Sequence, residues 1–236
     1  SDETQHLSLK KNQKSRSFIC KFSINDYLKN LGAIQKIQEM PWGGPNVYFM
    51  QKLSQIAKKR KIKVMYNADG ADEVFGGYKK YLNKDINENS ENYFNIQIDG
   101  TFNHTDNILK NNFNLVDRKI KLPTNDLITN MRYLDIIYQK LPRNFRFSDR
   151  YSMSNSIELR YPFLDVRLIE DSFMFRNNHL LNKINNKILL RSIFKKYKRK
   201  KKHLNSPQIN WINTLEFKNL IYKVLSNSRI FDAILD

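Results

Sequence analysis

Apolar positions recur at helical spacing over much of the chain. Asp26 to Ile37 carries Tyr27, Leu28, Leu31, Ile34 and Ile37 three or four residues apart, which predicts an amphipathic helix. Val47 to Arg60 places Phe49, Met50, Leu53, Ile56 and Ala57 on one helical face. Between them, Pro41-Trp42-Gly43-Gly44-Pro45 is a strong helix breaker. The pattern then changes. Ile62 to Tyr66 is a short, mainly apolar run that predicts a buried strand. A small-residue loop with Asp69 and Asp72 follows, then a segment opened by Asp72-Glu73. Helix, strand, acidic loop, helix is the grammar of an α/β protein. Upstream, Phe18 to Phe22 predicts a strand or the start of a helix, after a polar, basic stretch over 1–19. Residues 83–127 are Asn-rich and weakly patterned, predicting an irregular helical insertion. From 128 onward the pattern is mostly helical, near 128–141, 165–176 and 186–198. No internal repeat interrupts this order.

Composition narrows the class. At 236 residues the chain suffices for one sizeable core, with 40% hydrophobic and 12% aromatic residues. Seven glycines and six prolines argue against a loop-rich all-β design. Cys20 is the single cysteine, which excludes an intrachain disulfide and points to a reducing, cytoplasmic compartment. No apolar run approaches a membrane span, and no secretory signal is present. The net charge of +18 suits either a polyanionic partner or a compositional bias, since Lys, Asn and Ile are all abundant. The basic residues are scattered apart from Lys195 to Lys202, and no base-reading motif accompanies them. Nucleic-acid binding as the main role is therefore disfavoured.

The loop after the predicted strand is the richest chemical signal. Val64-Met65-Tyr66-Asn67-Ala68-Asp69-Gly70-Ala71-Asp72-Glu73-Val74-Phe75-Gly76-Gly77-Tyr78 brings small residues and carboxylates together. Small residues let backbone approach a ligand, helix N-terminal amides favour phosphate, and carboxylates hold Mg²⁺ against phosphate oxygens. The plainer reading is a strand-to-helix turn with Asp72 as N-cap. A second block runs from Asp149 to Leu168, Asp-Arg-Tyr-Ser-Met-Ser-Asn-Ser-Ile-Glu-Leu-Arg-Tyr-Pro-Phe-Leu-Asp-Val-Arg-Leu. A third, Arg199 to Trp211, contains Arg199, Lys201, Pro207 and Trp211.

Together these blocks resemble the synthetase domain of the asparagine synthetase family. Gly70, Asp72, Glu73, Val74, Phe75, Gly76, Gly77 and Tyr78 follow the family's Gly-Ser/Ala-Asp-Glu-Val-Phe-Gly-Gly-Tyr in unbroken order. The second block matches every fixed position of Asp-Arg-x-Ser-Met-x-x-Ser-x-Glu-x-Arg-x-Pro-Phe-Leu-Asp-x-Arg-Leu, with Asp135, Leu141 and Pro142 fitting its approach. Asn67, Ala68 and Asp69 depart from the family's Ser-Gly-Glu, and His203-Leu204 replaces Gly-Phe in the third block. The resemblance covers roughly 40–212.

The resemblance implies an α/β fold of adenine nucleotide alpha hydrolase type: a partial parallel sheet flanked by helices, with a mostly helical C-terminal part. It implies an ATP-dependent amide-forming ligase that works through an acyl-adenylate, with ATP and Mg²⁺ as cofactors. Asp72 would hold the metal. Asn67, Ala68 and Gly70 would line the ATP site. Asp69 stands where the family's catalytic Glu stands, one methylene shorter. Lys201 falls on the family Lys that stabilises charge developing at the transition state, although a Lys in so basic a run also reads as solvated surface. Glu158 and Arg160 read either as substrate ligands or as a buried structural pair, and the structural pair is preferred. Glu73 is expected to be structural, paired with a base.

The partners implied are a small-molecule carboxylate and ammonia or glutamine-derived nitrogen. The family's first phosphate loop, Ser-Gly-Gly-x-Asp-Ser, does not occur in the 236 residues, nor does a glutaminase domain. The expectation is one synthetase-like domain over 1–236, incomplete at its N-terminus. The alternatives are a non-catalytic or split-enzyme half that needs an N-terminal partner chain, an enzyme acting on a sugar acid or other carboxylate, and a basic RNA-associated protein.

Overall fold

The computed structural model describes residues 20–40, 42, 44–82, 121–193 and 208–226. Contacts divide the chain into two compact units, one from Ser1–Met65, Phe145–Leu159 and Arg199–Ser228, the other from Tyr66–Asn144, Arg160–Lys198 and Arg229–Asp236. The described residues are mainly helical, with one two-stranded parallel sheet.

In the first unit, α1 (Ile24–Gln38) starts at Ser23, whose side chain accepts from the Asp26 amide, and ends on Glu39 in the left-handed region at φ 56°. α2 (Pro45–Lys59) starts on a proline, which suits the first turn because its missing N–H has no partner there. Both start two residues before the sequence-predicted limits; α1 ends one residue beyond its predicted end and α2 one residue short of it. Their faces bury Tyr27, Ile34, Val47 and Tyr48 around Tyr151, with Phe22, Trp42, Phe49, Trp211 and Phe217 packed outside. This core is aromatic. Trp211 lies 5.4 Å, centroid to centroid, from both Tyr27 and Phe49. Phe22 stacks on Phe49, but residues 20–22 belong to neither a strand nor a helix, contrary to the sequence expectation for 18–22.

β1 is Val64–Tyr66, shorter than the expected 62–66, and β2 is Glu158–Arg160, which the sequence pattern did not mark. The Glu158 amide donates to the Lys63 carbonyl and the Asn67 amide to the Arg160 carbonyl, the slanted pattern of parallel strands.

In the second unit, α3 (Ala71–Phe75) and a 3₁₀ turn (Lys79–Leu82) precede α4 (Leu127–Ile137). α5 (Lys140–Met153) begins here and ends among the first unit's residues. The single expected helix over 128–141 is thus two helices: the chain breaks at Tyr138-Gln139, because Pro142 lacks the N–H that would bond the Tyr138 carbonyl and its ring crowds that carbonyl. Pro142 sits in the first turn of α5, where proline is tolerated. A second 3₁₀ turn (Pro162–Leu164), α6 (Val166–Met174), α7 (Asn177–Leu180) and α8 (Ile188–Ile193) complete this unit's described helices. Its apolar core is Tyr81, Met131, Leu134, Leu180 and Leu181. α9 (Gln208–Ile212) and α10 (Leu215–Ser226) belong to the first unit. Most of the expected insertion, and the basic run 195–202, lie outside the described residues.

Few glycines leave non-glycine residues to end helices. Lys61 (φ 59°) closes α2 and Ser156 (φ 57°) closes α5. In each case an i to i−5 and an i to i−3 backbone bond form the Schellman pattern: Ile62 to Ala57 with Lys61 to Lys58, and Ile157 to Ser152 with Ser156 to Met153.

Candidate functional site

The loop from Asn67 to Gly70 leaves β1 in a turn built from its own side chains. The Asp69 amide donates to Asn67 Oδ1 at 3.1 Å, and Asn67 Nδ2 donates to Asp69 Oδ2 at 2.9 Å. Asx turns of this kind stabilise a sharp change of direction. Gly70, at φ 91°, is the N-cap of α3, so Asp72 is not the cap the plainer sequence reading assigned to it. A Cβ on Gly70 would run into the Leu164 side chain, so glycine is required twice over, by its φ and by its neighbour. Phe75 packs edge-on against Phe163 at 6.0 Å. The two sequence blocks therefore meet: the Asn67 amide bonds the Arg160 carbonyl, Gly70 abuts Leu164, and Phe75 meets Phe163.

α3 has only five residues, so its axial dipole adds little to anion binding, against the sequence expectation. What the loop does present is two carboxylates. Burial pushes the Asp69 carboxyl above its ordinary range; the Asn67 hydrogen bond offsets part of this and the charge of Asp72 adds to it. The side chain of Asp72 is 37% exposed, and Lys187 Nζ lies 2.8 Å from its Oδ1. No motif pointed to Lys187; it is a tertiary partner brought in from the turn before α8. Gly77 makes room for this pair, because a Cβ there would strike the Asp72 carboxylate and Lys187 Cε.

Beneath the loop the structure is polar and closed. Glu73 is 1% exposed, and its Oε1 accepts from the Tyr78 hydroxyl at 2.8 Å. Burial raises the Glu73 carboxyl, while Tyr78 and the charge of Lys140 hold it down. Its role is structural, as expected, but its direct partner is a phenol rather than a base. Lys140 Nζ stands 3.5 Å from the centre of the Tyr78 ring, and burial lowers its ammonium, aided by Lys80. Lys80 and Tyr81 both reach the fully buried Asp135, at 2.7 Å each.

Arg132 ties this floor to α6. It is fully buried, donating from Nε to the Glu73 carbonyl at 3.0 Å and from Nη2 to the Val74 carbonyl at 2.6 Å and Ser172 Oγ at 2.8 Å. A five-residue helix leaves its last carbonyls without intrahelical donors, and Arg132 supplies them. Burial draws its guanidinium down to about 10. Sequence reading missed Arg132, because no local pattern announces a side chain that caps another helix.

Other expected residues stand as follows. Ala68 is exposed and Asn67 half-buried. Glu158 and Arg160 are both exposed on β2, which corrects the reading of them as a buried pair; alternation along a strand puts both on the face away from Leu159. Lys201 and Arg199 lie outside the described residues. Among the described residues no three His, Cys, Asp or Glu side chains gather as a metal cluster. The carboxylates that could share a Mg²⁺ with phosphate oxygens are Asp72, 37% exposed and already paired with Lys187, and the more buried Asp69.

A family model described as asparagine synthase matches residues 11–235. The chain belongs to the asparagine synthase family. Its blocks are thus those of an ATP-dependent ligase family, and the match runs through both compact units. A search of curated proteins returned no match. Among the described residues no helix is long and apolar enough to cross a membrane.

Proposed function

We propose that the protein is an amide-forming ligase that activates a carboxylic acid with ATP. One carboxylate oxygen attacks the α-phosphorus, pyrophosphate leaves, and the acyl-adenylate is then attacked at its carbonyl carbon by ammonia or glutamine-derived nitrogen. AMP departs and the nitrogen loses a proton. Aspartate is the default acid. The observation that carries this reading is the half-exposed Asp72, set beside Lys187 at the end of a strand–loop–helix unit whose floor is fixed by Arg132. A parallel strand pair followed by such a loop supports an adenine nucleotide alpha hydrolase-like sheet, and the single cysteine, Cys20, suits a cytoplasmic location.

In this reading Asp72 would hold a Mg²⁺, which would supply Lewis-acid stabilisation of the leaving group. Asn67, Ala68 and Gly70 offer backbone and amide contacts along the adenylate. Asp69 orients the attacking acid, and Glu158 and Arg160, exposed on β2, contribute to substrate binding. Lys201 supplies fixed positive charge to the transition state. One observation favours the alternative of a non-catalytic member: Asn67 already occupies an oxygen of Asp69. Product analysis separates the two. With ATP, aspartate and ammonia, the full-length protein should give the amide, AMP and pyrophosphate in equal amounts. Lys201→Ala should cut turnover about 10²–10³-fold with little change in KM, while Lys200→Ala and Lys202→Ala stay mild. Release of ADP, or no acid-dependent product, rejects the proposal.

A further inference from the structure

We infer that Lys187 is a built-in counter-ion that makes divalent-cation binding at Asp72 conditional on the arrival of a polyphosphate. This rests on the proposed reading of Asp72 as the metal ligand. Lys187 Nζ stands 2.8 Å from Asp72 Oδ1, so it already occupies the place where a cation would neutralise that carboxylate.

The placement is enforced rather than incidental. Lys187 has φ 52°, a left-handed conformation uncommon for a lysine, and such a backbone persists only where its surroundings hold it. Here they do. Asn186 Nδ2 donates to the Gly77 carbonyl. Arg191 in turn grips Asn186 twice, from Nε to its carbonyl at 2.7 Å and from Nη2 to Oδ1 at 3.2 Å. Gly77 lacks the Cβ that would separate Lys187 from Asp72, and its amide bonds the Asp72 carbonyl at 2.6 Å. The side chain of Lys187 is 22% exposed, against 37% for Asp72, so the pair is partly shielded from water.

Two cations cannot share one carboxylate oxygen without repulsion. A divalent ion arriving alone must displace the ammonium into water. A polyphosphate arriving with it offers the ammonium a new anionic partner and the metal extra oxygen ligands. Metal and polyphosphate therefore bind with positive coupling, and by linkage each raises the affinity of the other equally.

Calorimetry of the full-length protein with Mg²⁺, with and without inorganic pyrophosphate, tests this. The wild type should bind Mg²⁺ weakly alone and at least tenfold more tightly with pyrophosphate. Lys187→Met should bind Mg²⁺ alone about tenfold more tightly, the weight of a partly shielded ion pair, and should lose most of the coupling. Lys187→Gly should do the same, and its backbone suits φ 52° without strain, so misfolding does not explain the result. Lys187→Arg should behave as wild type. Unchanged or weaker Mg²⁺ binding in both Lys187→Met and Lys187→Gly overturns the counter-ion role. If Asp72→Asn meanwhile abolishes the pyrophosphate-dependent binding, the metal reading of Asp72 stands without it. If Asp72→Asn also changes nothing, both fail.

Discussion

The two compact units are stabilised by different means. The first packs tyrosine, tryptophan and phenylalanine rings around Tyr48 and Tyr151, a non-directional interaction that depends on volume and area, and its buried polar side chains, among them Gln38, Ser54 and Ser152, are uncharged. The second adds to its aliphatic core a set of buried charges and hydroxyls: Arg132, Glu73 with Tyr78, and Asp135 with Lys80 and Tyr81. A ring core tolerates change of chemistry at constant shape. A polar network does not, because each lost partner leaves another group buried and unsatisfied. The site loop sits on the second kind of support, which holds a short helix, a left-handed glycine and two carboxylates in one geometry.

The two units should differ most at Arg132. Arg132→Met keeps much of the volume but leaves the carbonyls of Glu73 and Val74 without donors, and should lower unfolding free energy by about 3–5 kcal/mol. Tyr48→Phe, also shape-conserving but in the ring core, should cost less than about 1.5 kcal/mol. Urea unfolding followed by fluorescence measures both. Equal losses would remove the distinction between the units.

A smaller effect, of opposite sign, is expected at the helix ends. Lys61→Gly should relieve the left-handed strain at φ 59° and stabilise the protein by roughly 1 kcal/mol. A lower midpoint in the same urea titration would show that the lysine side chain contributes more than its backbone costs.

The least effect concerns Asp69 and sharpens the role of the loop. Its folded carboxyl titrates above the unfolded one because burial disfavours the charge. The folded state therefore binds more protons between the two values, so stability falls as pH rises through that window and stays lower above it. Asp69→Asn removes this cost. It should raise Tm by about 2 °C at pH 7 and by nothing below the unfolded carboxylate range. A gain that persists at pH 3 would assign the effect to something other than charge.

Much of this was legible in the sequence, and what was not has a physical reason. α1 and α2 followed from their periodicity, because an amphipathic face over fifteen residues is a strong signal. The site loop followed from its own residues and their order. β2 went unmarked although Ile157-Glu158-Leu159-Arg160-Tyr161 alternates apolar and polar, because the alternation is only five residues long and lies inside a block whose signal is its motif. The split between α4 and α5 is signalled by Pro142, which acts on the Tyr138 carbonyl four residues back, but the apolar periodicity runs on through the break. Lys187 and Arg132 escaped because their importance lies in what they touch, 115 positions from Asp72 and 59 from Glu73, and no local pattern encodes a distant partner. Arg150, read only as part of a motif, proves to pair with Glu39 at 2.6 Å at the C-terminal end of α1, where a cation suits the helix dipole.

In the proposed reading Asp72 organises a metal–polyphosphate site on this loop. The most direct measurement is Mg²⁺-dependent ATP binding by the full-length protein, comparing wild type with Asp72→Asn and confirming the fold of each by thermal unfolding. The account predicts that Asp72→Asn melts as a folded protein and loses the Mg²⁺-dependent part of ATP binding. ATP binding that retains its full Mg²⁺ dependence in Asp72→Asn would contradict it.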